Sequence, residues 1–487
     1  MKPVAIVCFL SLSCFAADKR KNPSIEKIVA GISETRMEAT LKKLEAFETR
    51  YVMSAQDHPA KGIGAAKRWL HDELKSYSPR LQVEYDVFTL KKGSGRNAIL
   101  HDVELANVVA VLPGTISKDR HVLVTAHYDS LARARGRRNF EQRLATMVKR
   151  GVEEAEAKKY LQFFPPEETF DGGEPEAMAA EPFAPGVTDD GSGTATVLEL
   201  ARVMSQFEFD KTLVFVLFAA EEVGLEGSKA YVAKAKEKKM AIEAVLNNDI
   251  IGSDVAGNGR VEKRVVRVFG DGPEDSPHRA LMRYAKEIGE RYVPTMKADM
   301  IFRGDRFARG GDHSSFSAPG FAAAIRFTSA AENYEHQHTP TDTFANTSVP
   351  YATRVARMNA AIAASLALAP APPNVTWTFK SGPNRGSRQP MLTRGASGYD
   401  AVLRWETTGE RDLAGYAVVT RSTTAPNWER EIYVGNVAVY RFPNLSIDDI
   451  VLGVKAIDRD GNQSLVSAYM QRRLAGTETP APVPATQ

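Results

Sequence analysis

Apolar runs of strand length recur along the chain up to residue 327, and they limit its fold more than any other feature. The runs occupy residues 81–90, 106–112, 121–126, 212–219, 244–246, 265–269 and 321–327. Helical periodicity separates the later runs, over residues 194–204, 228–238, 277–290 and 351–368. Strands that are apolar on both faces and alternate with helices indicate a parallel sheet buried between helices. We therefore predict an α/β fold, a three-layer α/β/α sandwich with a mostly parallel central sheet.

Helical periodicity also marks residues 24–77, and together these elements predict one domain over residues 24–368. Residues 131–184 interrupt the alternation with a basic cluster at 133–138, a charged helix and a segment rich in Pro, Glu and Gly. We interpret them as an insertion. A loop of this length in a compact domain is usually functional or disordered, so a lid over a substrate site and a solvated decoration both stay open.

The composition and the hydrophobic pattern of the sequence change after residue 368. Ala-Pro-Ala-Pro-Pro at 369–373 predicts an extended linker, and short alternating strands with turns between them dominate residues 374–474. Trp405, Tyr416 and the segment 453–458 resemble the buried tryptophan, central tyrosine strand and penultimate strand of fibronectin type III domains. That resemblance implies a β-sandwich. Residues 475–487 are rich in Pro and Thr and are predicted to be disordered.

The N-terminus has the layout of a secretory signal. Lys2 precedes an apolar run at 4–15, and the small residues Ala16 and Ala17 precede a charged stretch. We predict a signal peptide at 1–17 and a secreted or periplasmic protein. No later segment has the roughly 18 uninterrupted apolar residues of a membrane span, so none is predicted.

Both cysteines, Cys8 and Cys14, lie inside that signal. The exported chain would then form no disulfide, and thiolate ligation of a metal is excluded. A lipid anchor at Cys14 is the competing interpretation, but Ser11 stands where a lipoprotein signal favours leucine.

The charges of the chain nearly balance. Lys and Arg number 63 and Asp and Glu number 60, which gives a net charge of +3. Such a chain has no strong field to attract nucleic acid or an anionic membrane surface. Its partner has to be inferred from a site.

Metal-compatible side chains follow several of the predicted strands. His127 comes directly after the third apolar run, and Asp129 lies two residues further on. A metal-bound imidazole normally donates its other N–H to an acceptor such as a carboxylate, although an isolated histidine after a strand is usually structural. Asp189 and Asp190 adjoin the glycine-rich start of a helix. One of them could bridge two cations, or the pair could simply cap the helix.

Three later positions extend this pattern. Glu221 and Glu222 follow the fourth run, and two adjacent carboxylates permit a division between metal ligand and general base. Asp249 lies among apolar neighbours, where burial of a carboxylate favours a cation as its partner. His336 and His338 follow the last run, and either suits a metal. Because the carboxyl ends of parallel strands meet at one edge of a sheet, these positions together predict a metal centre.

With these residues the sequence resembles the dinuclear zinc exopeptidases, the family that includes bacterial leucyl aminopeptidases and glutamate carboxypeptidases. The similar motifs lie within residues 24–368, outside the insertion. They are His127-Tyr-Asp129, Gly186-Val-Thr-Asp-Asp-Gly-Ser-Gly193, Ala220-Glu-Glu-Val-Gly-Leu225, Asn248-Asp249, Asp312-His313 and His338-Thr-Pro-Thr-Asp342. The resemblance implies two Zn²⁺ ions per chain.

The resemblance also implies a ligand set. Asp189 would bridge both zinc ions, because the family's bridging acid is the first of the two acids before Gly-Ser-Gly. His127 and Asp249 would complete one site, and Glu222 and His338 the other.

The same resemblance assigns the supporting residues. Glu221 becomes the general base, and Asp129 supports the His127 imidazole. The family's last ligand directly precedes the Thr-x-x-Asp run, which selects His338 over His336. Asp312 and His313 match a segment near the site, and a supporting structural part is the expectation for them.

The implied activity is hydrolysis of a terminal peptide bond by metal-activated water, with peptide or protein N-termini as the substrate. A carboxypeptidase with the same two-zinc site stays open, since Arg303, Arg306 or Arg326 could bind a terminal carboxylate. An enzyme like the glutaminyl cyclotransferases and a non-catalytic relative are disfavoured, because the ligands and the base are all present. Side-chain preference and oligomeric state do not follow from the sequence.

Overall fold

The computed structural model describes residues 21–94, 99–132, 140–149, 151–165, 183–303, 309–317 and 321–470. The described residues divide into two compact units, one within Pro23–Leu368 and the other comprising residues 21–22 and 369–470. The predicted signal at 1–17, the basic cluster at 133–138, Arg306 and the predicted tail at 475–487 lie outside the described residues. None of the described helices is long and apolar enough to cross a membrane.

The first unit alternates helices and strands. Its helices are α1 (Pro23–Gly31), α2 (Glu34–Glu45), α3 (Gly62–Tyr77), α4 (Phe140–Lys149), α5 (Glu154–Phe163), α6 (Ser192–Met204), α7 (Glu226–Glu237), α8 (Pro277–Tyr292), α9 (His313–Phe316) and α10 (Val349–Leu368). Its strands are β1 (Gln82–Leu90), β2 (Val103–Leu112), β3 (Ser117–His127), β4 (Lys211–Phe218), β5 (Ala241–Asn248), β6 (Val265–Phe269), β7 (Lys297–Ile301) and β8 (Ala323–Ser329).

All eight strands form one sheet in the order β1-β2-β4-β3-β5-β8-β6-β7. The four central strands β4, β3, β5 and β8 are parallel neighbours, and β6 and β7 are also parallel. The pairs β1–β2, β2–β4 and β6–β8 are antiparallel. The predicted α/β fold with a mostly parallel sheet is confirmed. Because the central strands run in one direction, their carboxyl ends share one edge of the sheet.

Helices cover both faces of this sheet. Every residue of β4 is buried, and its side chains alternate between the faces. On one face Val214 and Phe218 pack with Tyr231 of α7 and Phe316 of α9. On the other, α6 and α10 contact β3, β4 and β5. The core therefore lies in two layers, one on each side of the central strands.

Local signals explain where several helices begin. The Ser276 hydroxyl caps α8 by accepting the N–H of Arg279, and Pro277 occupies the first turn, where its missing N–H costs nothing. Ser33 caps α2 in the same way.

The structure differs from the sequence-based expectation in two elements. The edge strand β7 was not predicted, because its residues are only partly buried and lack an apolar run. The insertion contains two helices, α4 and α5, which contact each other, rather than one charged helix.

The second unit consists of short antiparallel strands. They are β9 (Thr376–Thr378), β10 (Arg388–Pro390), β11 (Leu392–Arg394), β12 (Ala401–Arg404), β13 (Leu413–Ser422), β14 (Arg430–Gly435), β15 (Val439–Phe442), β16 (Ile450–Asp458) and β17 (Ser467–Ala468). The sheets β11-β12-β15 and β14-β13-β16-β17 share one core, in which the rings of Trp405 and Tyr416 lie 5.4 Å apart. The similarity to fibronectin type III domains stays a prediction.

Candidate metal centre

The parallel strands bring the predicted site residues to one edge of the sheet. His127 is the last residue of β3, and Asp249 directly follows β5. Glu221 and Glu222 lie in the turn after β4, and His338 lies in the loop after β8. The side chains converge because their strands are neighbours with a common direction.

His127, Asp189 and Asp249 form the first group of potential metal ligands. His127 Nε2 lies 3.2 Å from Asp189 Oδ1 and 3.8 Å from Asp249 Oδ1. All three side chains are buried, and one ligand atom of each lies within 4.8 Å of the others. A zinc ion with ligands at about 2.0–2.2 Å fits a group of this spread.

Asp189, Glu222 and His338 form the second group. His338 Nε2 lies 3.0 Å from Asp189 Oδ2 and 3.0 Å from Glu222 Oε2. Asp189 therefore turns one carboxylate oxygen toward each group. Glu222 Oε1 is buried and has no hydrogen-bond partner among the described residues, which a bound cation would explain.

Asp190, the alternative bridging acid, has a different set of partners. Its Oδ1 accepts the N–H groups of Gly193 at 2.9 Å and Ile250 at 3.2 Å, and its Oδ2 accepts the N–H of His127 at 3.3 Å. These bonds tie the backbone at His127 and next to Asp249, two members of the first group, to the start of α6. Asp190 therefore supports the site, while Asp189 faces it.

Asp342 holds the Asp189 segment from the loop that carries His338. Its carboxylate accepts the N–H of Thr188 at 2.9 Å and the N–H of Asp189 at 3.0 Å. Gln337 adds a contact from the same loop, since its Nε2 lies 2.9 Å from Asp189 Oδ2. The bridging position is thus fixed through its backbone and its side chain.

Asp129 does more than its predicted support of the His127 ring. The closest acceptor to His127 Nδ1 is the backbone carbonyl of Asp129 at 3.1 Å, and the carboxylate Oδ1 lies at 3.5 Å. The carboxylate also accepts the N–H of Glu221 at 3.1 Å and that of Glu222 at 3.2 Å. One aspartate thus links His127 to both glutamates.

The two histidines of the last loop occupy different places. His338 belongs to the second group, and its backbone adopts the left-handed region with φ 55°. His336 Nδ1 lies 2.9 Å from the Thr341 hydroxyl, and its side chain lines a small pocket beside Asp189.

Arg326 on β8 pairs with a potential ligand. Its Nη2 lies 3.0 Å from Asp249 Oδ1, and the side chain is only 4% exposed. Of the other arginines considered for carboxylate binding, Arg303 is exposed. Arg326 thus orients Asp249 and offsets its charge.

Asp312 and His313 are buried at the start of α9, but they join neither group of ligands. His313 Nε2 lies 3.7 Å from Asp271 Oδ2. Burial raises the pKa of Asp312 to about 7. Phe316 of the same helix lies in the core, and the supporting part expected for Asp312 and His313 stays a prediction.

Burial and the many neighbouring carboxylates shift the pKa values of the acidic side chains in the site. Burial raises the pKa of Glu221 well above its ordinary value, and the nearby Asp249 and Glu222 raise it further while His127 lowers it. Burial raises the pKa of Asp342 to about 7. Buried carboxylates at this density need positive partners. Two imidazoles and several carboxylates are donors that zinc accepts, so the residues present fit zinc.

Arg50 is the residue beside the site that the sequence indicated least. It is fully buried and bonds to the backbone of segments that carry ligands. The sequence around it shows no motif or periodicity that separates it from the surface arginines of the neighbouring helices. In the sequence, Asp342 was noted only as the last residue of the motif that begins at His338, and no pattern pointed to Gln337 as a site residue.

Comparisons with known proteins agree with a metallopeptidase site. The sequence profile of Peptidase family M28 matches residues 107–363. A probable zinc metalloprotease of Pyricularia oryzae is 31% identical over 473 residues, which cover 90% of this chain and 83% of that protein. Another, from Leptosphaeria maculans, is 30% identical over 472 residues, which cover 90% of this chain and 95% of that protein.

Solved structures give weaker similarities. The LapA aminopeptidase of Legionella pneumophila aligns with a TM-score of 0.48 at 19% identity, over 72% of this chain and 75% of that one. A glutaminyl cyclase of Macrostomum lignano aligns with a TM-score of 0.49 at 13% identity, over 71% of this chain and 93% of that one. Neither similarity supports an argument about activity.

Proposed function

The chain belongs to peptidase family M28, and we propose that it is a two-zinc exopeptidase that releases amino acids from the N-termini of peptides or proteins. The sharing of Asp189 carries the proposal. Its two carboxylate oxygens face two separate groups of potential ligands, an arrangement that suits a pair of metal ions.

Each zinc would have two protein ligands of its own and would share Asp189 with the other. His127, Asp189 and Asp249 would hold one ion, and Asp189, Glu222 and His338 the other. When bound, the two ions supply Lewis acidity for the substrate carbonyl and lower the pKa of the attacking water. Asp190, Asp342 and the other supporting carboxylates hold the ligands in place.

Glu221 is the proposed general base. It is partly exposed, whereas Glu222 is buried, so Glu221 is the member of the pair that a substrate can reach. Its carboxylate takes a proton from the attacking water and delivers it to the leaving nitrogen. Asp129 restrains this residue through its backbone N–H.

The charge of the site favours a substrate with a free amine. Eight acidic side chains belong to the ligand groups or lie beside them, namely Asp129, Asp189, Asp190, Glu221, Glu222, Asp249, Asp312 and Asp342. They outnumber the buried arginines Arg50 and Arg326. This excess of acids favours an ammonium group over a carboxylate as the terminus that the site binds. Because Arg326 is buried and paired with Asp249, a terminal carboxylate would have to break that pair to bind it.

A matched substrate panel tests this proposal. Wild type and Glu221→Gln, both loaded with zinc, are assayed on peptides of one sequence with a free or an acetylated N-terminus. We expect wild type to cleave only the free-amine peptide, and Glu221→Gln to lose about 10²–10⁴-fold in kcat while keeping its zinc.

Glu226→Gln is the matched control, because Glu226 begins α7 close in sequence to Glu221 and pairs with Lys229. It should keep its activity. Release of C-terminal residues from the acetylated peptide would replace the aminopeptidase proposal with a carboxypeptidase. Full activity in Glu221→Gln would remove the assigned base.

A further inference from the structure

We propose that Arg50 is a positioning residue of the metal centre, which fixes the loop carrying His127 relative to the loop carrying Asp189. The inference rests on the proposed function in one respect, that the centre binds zinc. Arg50 lies between α2 and α3, far in sequence from both loops.

The guanidinium of Arg50 joins these loops through backbone carbonyl oxygens. It donates from Nε to Tyr128 at 2.6 Å, from Nη1 to Pro185 at 2.5 Å and to Leu44 at 3.2 Å, and from Nη2 to Gly186 at 2.8 Å. Tyr128 is the residue after His127, and Gly186 begins the turn that leads to Asp189. One rigid planar group therefore sets the spacing between a ligand of the first group and the ligand shared by both.

The backbone of Arg50 strengthens the same junction. Its N–H donates to the Ser130 hydroxyl at 2.9 Å, and its carbonyl accepts the N–H of Ser130 at 3.3 Å. That hydroxyl in turn donates to the carbonyl of Ala184 at 2.6 Å. Both loops are therefore tied to Arg50 through its side chain and its main chain.

The burial of this charge argues for a specific role. Arg50 has 0% exposure, and the side-chain bonds described above all go to carbonyl oxygens. Burial lowers the pKa of Arg50 to about 10, while the nearby Asp342 and Asp129 raise it, so the group stays charged at neutral pH. A buried charge without a bonded counter-ion is costly. The positive charge of Arg50 offsets the negative charge of the nearby carboxylates, and its N–H groups hold the loops of His127 and Asp189 in place.

The loops close tightly around the guanidinium. Gly186 has φ +50°, and a Cβ at this position would meet Ser130 Cβ at 2.5 Å and Arg50 Nη2 at 3.2 Å. Lysine could not replace Arg50. The carbonyl acceptors lie around the three nitrogens of the planar guanidinium, and a single ammonium nitrogen cannot reach all of them.

The test compares Arg50→Lys and Arg50→Ala with wild type, using the whole chain. Folding is checked by circular dichroism and thermal denaturation, and zinc affinity is measured by competition with a chromophoric chelator. We expect wild type to bind zinc, and both variants to fold and to bind it about 10–100-fold more weakly. Methylguanidinium should restore part of the affinity of Arg50→Ala and none of that of Arg50→Lys.

Arg421→Ala is the matched control. Arg421 is also buried, at 1% exposure, and donates to backbone carbonyls of Ser422 and Ala425, but it lies in the other unit. It should lose thermal stability and keep wild-type zinc affinity.

Three results would separate the claims. Failure of wild type to bind zinc would overturn the proposed function itself. Wild-type zinc affinity in a folded Arg50→Lys or Arg50→Ala would overturn only the role of Arg50. Failure of both Arg50 variants to fold, while Arg421→Ala folds, would assign Arg50 to global stability and would also overturn this inference.

Discussion

At the scale of single residues, the one side chain and backbone of Asp129 contact three of the proposed site residues. Its carboxylate accepts the backbone N–H groups of Glu221 and Glu222, and its carbonyl lies within hydrogen-bond distance of the His127 ring. An asparagine would retain one acceptor and would turn an NH₂ group toward one of those amides. The positions of the two glutamates therefore depend on the two carboxylate oxygens, since each oxygen accepts one of the amides.

We accordingly expect Asp129→Asn to lower kcat by about 10–100-fold with little change in KM. Steady-state kinetics on a free-amine peptide measure both constants, and zinc content is determined on the same sample. Asp72→Asn, at an exposed position on α3, is the control and should behave as wild type. An unchanged kcat in Asp129→Asn would show that the two amide contacts are dispensable.

The sequence allowed prediction of the residues that project from strand ends, because a carboxylate or histidine after a buried run is visible locally. It did not separate Asp189 from Asp190, since adjacent acids in a turn differ only in their tertiary partners. Only a resemblance made that choice. No sequence pattern indicated Arg50, because its partners at residues 128 and 185–186 are distant in sequence and local patterns do not predict such contacts.

At the scale of elements, the amino ends of the central strands have their own polar junction. Glu243 on β5 lies 3.0 Å from Lys211 Nζ on β4 and forms a short ion pair with Arg120 on β3. Lys211 also donates to the carbonyl of Leu366 in α10 at 2.9 Å. The junction thus joins three strands and a helix at the edge opposite the metal centre.

Glu243→Gln should destabilise the first unit at neutral pH by about 2 kcal/mol, because it removes the negative charge and one of the two acceptor oxygens that Lys211 and Arg120 use. Burial alone would raise the pKa of Glu243, but Lys211 and Arg120 hold it below its ordinary value of 4.5. A lowered folded-state pKa contributes stability above pH 4.5 that is lost as the pH falls. Urea denaturation with chelator present should therefore show a difference from wild type at pH 7 that shrinks below pH 4.5. A difference that grows on acidification would contradict this, and the exposed Glu237→Gln serves as control.

The insertion begins and ends at adjacent points. The Ser130 hydroxyl donates to the carbonyl of Ala184 at 2.6 Å, so a short link can replace residues 133–182 without stretching the fold. Closing a shorter loop costs less entropy. We expect a variant with a link of about six Gly and Ser residues to fold, bind zinc and cleave a free-amine dipeptide. Loss of zinc from the folded variant would show instead that the insertion is part of the centre.

The buried strands and their mostly parallel direction followed from the sequence, but the antiparallel exceptions and one edge strand did not. Runs such as β4 are buried throughout, which predicts a strand between two layers. However, the residue pattern of a buried strand is the same whether the strand runs parallel or antiparallel to its neighbour. No local sequence pattern therefore predicted that β2 pairs antiparallel with β4, or β6 with β8. The partly exposed edge strand β7 lacked the apolar run that identified the others.

At the scale of the whole molecule, the chain consists of two units that meet in sequence at Leu368. All five proposed zinc ligands and Glu221 belong to Pro23–Leu368. We therefore expect a chain ending at Leu368 to keep kcat and KM for a free-amine dipeptide close to those of the full chain. Kinetics on the two proteins, matched for zinc content, measure this. A folded truncation without activity would show that the C-terminal unit takes part in catalysis.

The proposed metal centre holds two zinc ions, and His338, not His336, is one of its ligands. The most direct test is the zinc stoichiometry of wild type, His338→Ala and His336→Ala after equilibrium dialysis, measured by elemental analysis on protein shown to be folded. We predict about two zinc ions per chain in wild type and in His336→Ala, and about one in His338→Ala. A folded wild type that binds one ion or none, or an undiminished stoichiometry in His338→Ala, would contradict the account.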